Sequence, residues 1–187
     1  MASTADFRNG LALVMDGEIY VIVEFQHVKP GKGGAFVRTK LRNVRKKKII
    51  ERTFNAGEKV ETARLETREI QFLYRAGDEL IFMDMESYEQ IHQDEDSVGD
   101  SQLFLKEEMV CQALFESDTN EILGVELPNF VVLEIMETDP GVKGDTVSGG
   151  TKPAKLETGA IVQVPLFVNI GEKIRVDTRD RRYIERV

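Results

Sequence analysis

The feature that most limits how this chain can fold is the lack of a helical period over its length. Apolar residues recur instead at every second position, in short runs that stop at Gly, Asn, Asp or Pro. Side chains alternate between faces along a strand, so this pattern predicts half-buried β-strands. Leu11, Leu13 and Met15 alternate and end at Asp16-Gly17, a two-residue hairpin turn. The stretch 19–25 forms the next strand. Further on, Ala35, Val37, Thr39 and Leu41 alternate with Phe36, Arg38, Lys40 and Arg42, which puts three cations on one face. Ile49 and Ile50 resume a strand, 55–57 turn it, and Val60 leads out. The result reads as a small barrel.

The rest of the chain repeats this style. Ile70, Phe72 and Tyr74 lead into a turn at 75–78, and 80–83 return. The polar, acidic stretch 85–105 is expected to be a loop with at most one or two short helical turns, at 101–106. Strands at 109–115 and 122–127 flank a turn at 117–120, and Pro128 closes the unit. After 130–136 comes a loop over 139–155, rich in Gly, Pro and hydroxyls; loops that long are usually functional or disordered. Strands within 160–168, 173–177 and 183–187 complete a second small barrel; five strands at this spacing suit an OB-type barrel. The expectation is an all-β chain with three small domains, 1–64, 65–128 and 129–187.

Composition narrows the chemistry. No apolar run reaches the roughly 18 residues of a membrane span, and the first residues lack the basic and apolar parts of a signal peptide. Cys111 is the single cysteine, which excludes an internal disulfide, fits a reducing cytoplasm, and is expected to be a small buried hydrophobe. The net charge of −8 hides a split. Residues 1–64 hold 13 Lys and Arg against 7 Asp and Glu, 65–128 hold 3 against 17, and 129–187 hold 9 against 9. A basic first third beside an acidic middle suggests a polyanion-facing end. His27 and His92 stand far apart with no ligand spacing around them, and no hydrolase, zinc or dinucleotide motif occurs. No enzyme activity, metal or cofactor is expected.

One stretch stands out from the strands. Lys29-Pro-Gly-Lys-Gly-Gly-Ala-Phe36 joins a long apolar strand to the basic one. Pro30 keeps Lys29 extended. Gly31, Gly33 and Gly34 leave no side chain to crowd Lys32, so the turn is a slim finger with an ammonium at its end. It is not a Walker loop, because the spacing differs and a strand follows. On local sequence alone it is a solvated hairpin tip or a probe for a narrow channel.

Three stretches together carry a resemblance. The finger, continuing through Val37 to Asn43, the loop Asp139-Pro-Gly-Val-Lys-Gly-Asp-Thr146 with Gly149 and Gly150, and the closing segments 155–159, 164–168, 171–174 and 176–179 resemble the bacterial elongation factor P family along the whole chain. The resemblance implies an SH3-like (KOW-type) barrel followed by two OB-type barrels in an L-shaped, tRNA-like arrangement. It implies a factor that binds both ribosomal subunits between the peptidyl-tRNA and exit sites and relieves stalling at consecutive prolines. Lys32 matches the position that a modifying enzyme extends. Lys29, Arg38, Lys40, Arg42, Lys46, Lys47 and Lys48 are candidates for phosphate contacts, with the peptidyl-site tRNA as partner. Gly144, Asp145, Thr146, Gly149 and Gly150 would lie near the exit-site codon. A monomer without membrane contact is expected. One residue departs from the family pattern: Arg181 stands where a glycine is usual, two residues before Tyr183, and is strained if that site needs a positive φ. Two rival readings are an RNA-binding OB-type module acting off the ribosome, which would want aromatic stacking platforms, and an enzyme using Lys32 as a Schiff-base lysine, which would want a desolvated site.

Overall fold

The computed structural model describes residues 1–141 and 150–187. Gly144, Asp145, Thr146 and Gly149 therefore lie outside the described residues, and Gly150 lies within them. Nearly all regular structure is β. The first sheet contains β1 (Ala2–Ser3), β2 (Ala12–Met15), β3 (Glu18–Val28), β4 (Phe36–Asn43), β5 (Ile49–Asn55) and β6 (Lys59–Ala63), in the order β1-β6-β2-β3-β4-β5. Asp16 and Gly17 take φ of 52° and 76° between β2 and β3, the backbone of a two-residue hairpin whose twist matches its strands. Leu13, Ile22, Val37, Leu41 and Phe54 close the core, with Phe7 edge-on to Phe54 at 5.3 Å between ring centres.

The second sheet contains β7 (Leu65–Ala76), β8 (Glu79–Asp84), β9 (Gln90–Asp94), β10 (Val110–Glu116) and β11 (Glu121–Glu126), ordered β11-β10-β7-β8-β9. The third contains β12 (Phe130–Thr138), β13 (Thr151–Leu156), β14 (Ile161–Pro165), β15 (Lys173–Asp177) and β16 (Arg182–Arg186), ordered β14-β13-β12-β15-β16. The three sheets form three barrel-like domains. In packing, the chain divides into two compact units, 1–68 with 113–124, and 69–112 with 125–187.

Two expectations about loops are corrected. The acidic stretch after β8 is not a loop throughout: β9 pairs antiparallel with β8, Met83 facing Gln90. A single helical turn (Glu95–Val98) and a 3-10 helix (Gly99–Phe104) follow it, the latter two residues earlier than the expected turn. Ile91 is the one large apolar residue of β9, too little for alternation to register. The long third-domain loop ends earlier than expected, because Thr151 to Leu156 form β13. Pro153 is tolerated there because β12 ends opposite Ala154, so the missing N–H breaks no bond to it.

Phe104 is 1% exposed and sits in the third sheet's core with Leu133, Ile135, Leu156 and Ile174. Cys111 is buried as expected, and burial pushes its thiol up to about 12, out of reach of redox chemistry at neutral pH.

Candidate nucleic-acid interface

β3 and β4 pair from Tyr20 opposite Asn43 to Val28 opposite Phe36, and residues 29–35 project beyond the last pair. The base of the finger is braced where the Ala56 N–H donates to the Ala35 carbonyl at 3.0 Å. Residues 29–34 are exposed. Gly33 takes φ of 108°, which L side chains rarely adopt. Gly31 and Gly34 have no atom within 4 Å of an added Cβ and no such φ. The fold therefore demands one glycine of the three. The other two keep the finger thin for whatever approaches it. Lys32 makes no hydrogen bond or ion pair among the described residues.

Behind the finger, β4 alternates as its sequence predicts. Val37, Thr39, Leu41 and Asn43 are buried, while Arg38, Lys40 and Arg42 are exposed on the other face. Thr39 satisfies its buried hydroxyl by donating to the Arg52 carbonyl at 2.8 Å. The cations differ in what holds them. Arg38 lies over the Phe36 ring, 5.6 Å from its centre. Lys40 donates to Glu24 at 2.7 Å, and this hydrogen bond is the main reason its ammonium is held above the ordinary lysine value. Lys46 pairs with Glu18, whose carboxylate also accepts from the Tyr20 hydroxyl and Asn43 Nδ2, each at 2.9 Å. Those contacts, Lys46 first, lower the Glu18 pKa. The Asn43 side chain accepts from the N–H groups of Arg45 and Lys46, folding 44–48 into a tight turn with Lys47 at φ 57°. The Lys47 ammonium approaches Gly124, where an added Cβ would lie 3.8 Å away. Lys29, Arg42 and Lys48 have no ionic partner among the described residues.

A concavity of about 290 Å³ opens on this face, where Glu24, Gln26, Arg38, Lys40, Glu51 and Thr53 line it. Sequence reasoning missed Gln26 and Thr53, which flank Arg38 only once β3, β4 and β5 are in register. It missed the carboxylate partners for the same reason.

In the third domain, Gly150 packs against Leu166: an added Cβ would fall 2.9 Å from its Cδ1. Gly141 is closer still, its Cβ 2.5 Å from the Leu166 carbonyl oxygen. Lys152 is buried and donates to the Asp139 carbonyl at 2.6 Å, tying the strand after the loop to the residue where the loop begins. Gly141 stood in sequence only as part of the stretch 139–146, and Lys152 carried no distinguishing signal. Nearby in the chain, Arg179 lies over Phe130 and pairs with Asp177 at 2.6 Å, which holds that carboxyl down at about 2.

The position of Arg181 is resolved by its backbone. It takes φ of 54°, so the turn does need a left-handed residue, and its guanidinium pairs with Asp100. A left-handed non-glycine residue costs about 1–2 kcal/mol, and an exposed ion pair returns about 0–1. Arg181→Gly is expected to stabilise the protein by about 1 kcal/mol, read as a higher urea midpoint at unchanged slope. A lower midpoint would show that the Asp100 pair outweighs the strain.

A series of barrel-like domains, the first drawn out into a lysine-tipped finger beside a basic strand, defines an all-β, multi-barrel class built for surface contact. Comparison with known proteins narrows it. Family models match in succession: the elongation factor P KOW-like domain at 3–60, the elongation factor P OB domain at 65–125, and the elongation factor P C-terminal domain at 131–186. Elongation factor P of Pelotomaculum thermopropionicum is 58% identical over 187 residues, covering 100% of both chains. That of Natranaerobius thermophilus is 57% identical over 100% of this chain and 98% of its own. That of Mycobacteroides abscessus is 55% identical over 100% and 99%. A solved eIF-5A family protein from Naegleria fowleri shares the fold over 67% of this chain and 96% of its own, with a TM-score of 0.52 at 14% identity. The chain belongs to the elongation factor P family. It is a translation elongation factor, and as such it acts with the ribosome.

Proposed function

We propose that this factor binds the ribosome between the peptidyl-tRNA and exit sites and speeds peptide-bond formation at consecutive prolines, with Lys32 reaching toward the terminal CCA of the peptidyl-tRNA. The observation that carries this reading is the finger: an ammonium without a partner among the described residues, at the tip of a two-stranded arm that also holds two glycines, Gly31 and Gly34, that the fold does not require. In this reading the active centre belongs to ribosomal RNA, so the protein supplies reach and charge. The ammonium contacts phosphates and 2′-hydroxyls. Holding the tRNA end in a reactive pose removes part of the entropic barrier. Proline, a constrained and poor nucleophile, gains most from that.

The reading extends to domains 1–64, 65–128 and 129–187 acting as one cytoplasmic monomer that touches both subunits. A modifying enzyme lengthens Lys32, for which an exposed, uncrowded lysine is a suitable substrate. The enzyme reading of Lys32 is disfavoured by the same exposure, since a Schiff-base lysine needs desolvation. A photo-reactive residue in place of Lys32 is expected to cross-link to the last nucleotides of the peptidyl-site tRNA or the ribosomal RNA around them. Cross-links confined to RNA far from that centre would overturn the placement.

A further inference from the structure

The basic face of the first domain is not uniformly positive. Arg38 is flanked across the sheet by Gln26 and Thr53, and Arg42 by Val21 and Ile49. Lys40 alone is flanked by carboxylates, Glu24 on β3 and Glu51 on β5. That row carries a net charge of about −1 between two arginines. It exists because of a bulge. Ile22 faces Leu41, and the next pair is Glu24 with Lys40, so Val23 is the extra residue. Without it, Val23 would stand opposite Lys40 and Glu24 opposite buried Thr39.

The Glu24 and Lys40 side chains are 65% and 46% exposed, so water can reach both and a phosphate can replace the carboxylate. The fold gains little from such a pair, whose typical contribution is about 0–1 kcal/mol. We propose that Glu24 is a built-in competitor for RNA phosphate: it occupies Lys40 in the free factor, holding the affinity of this face below what its cations would otherwise reach. The inference rests on the reading of Lys40 as a phosphate contact. A factor that must leave the ribosome after each rescue benefits from an anion that retakes the lysine as RNA departs.

The test is a double-mutant cycle on the intact protein: wild type, Glu24→Gln, Lys40→Met and both together. Each is titrated onto ribosomes carrying peptidyl-site tRNA, over a range of salt concentrations. Glu24→Gln is expected to tighten binding roughly threefold to tenfold at low salt and to steepen the salt dependence by about one phosphate contact. Lys40→Met is expected to weaken binding and flatten that dependence, and the double variant to match Lys40→Met alone. Tightening by Glu24→Gln that persists in the Lys40→Met background would overturn the inference, because the glutamate would then act only through overall charge. Weakening by Lys40→Met without tightening by Glu24→Gln would overturn the inference and leave the phosphate contact standing. No effect of Lys40→Met would remove the contact itself, and the inference with it.

Discussion

Lys32→Ala is expected to lose at least tenfold of the stimulation at consecutive prolines while unfolding at the wild-type urea midpoint. The two halves of this result have separate causes. The side chain is exposed, bonds to nothing among the described residues, and sits in a loop whose conformation is set by Pro30, Gly33 and the strand pair behind it. Surface substitutions of this kind change stability by about 0.5 kcal/mol or less. The loss of activity follows if the ammonium helps to place the tRNA end, because every ~1.4 kcal/mol of barrier is tenfold in rate. Lys32→Arg separates charge from shape, since a guanidinium keeps the charge but is planar and broader than an ammonium. Stimulation of peptide synthesis and the urea midpoint, each measured for wild type, Lys32→Ala and Lys32→Arg, check the two halves. Full activity in a confirmed Lys32→Ala protein would remove the finger tip from the mechanism.

The largest expected loss of stability lies elsewhere, at Phe104. Its ring is fully enclosed in the core of the third sheet, although it comes from a 3-10 helix in the polar stretch after β9. Truncating a buried Phe to Ala typically costs about 3–5 kcal/mol, a large share of the 5–15 kcal/mol that holds a domain together. Phe104→Ala is expected to lower the unfolding free energy by that amount in urea. Its neighbour Leu103 is 40% exposed, and Leu103→Ala is expected to cost well under half as much. Equal losses from the two substitutions would mean that Phe104 does not anchor the core.

These residues show which parts of the molecule were legible in the sequence. The alternation of β4 was plain because one face is apolar and the other cationic, so period two could be read directly. Turns with an obligatory left-handed residue, such as Asp16-Gly17, were equally plain. Arg181 drew notice only against the family pattern, and its φ of 54° bears out the need for a left-handed residue there. What stayed hidden depends on contacts between distant segments. β9 is a polar strand with a single large apolar residue, and Phe104 is a lone aromatic whose destination lies in another sheet. The pairing of Glu24 with Lys40 follows from a one-residue bulge, which period-two reading cannot detect because it assumes an unbroken register. In the finger, Gly31, Gly33 and Gly34 looked alike in the sequence. Only the backbone separates the glycine that the turn needs from the two that it does not.

The central claim is that this factor acts on peptide-bond formation itself, at prolines. The most direct test is peptide synthesis by purified ribosomes on a message encoding three consecutive prolines, with and without the protein purified from its native host, beside a proline-free control. The account predicts a faster Pro-Pro step and little change on the control. Intact native protein that leaves the Pro-Pro step unchanged would contradict it, and would favour an RNA-binding role away from the ribosome.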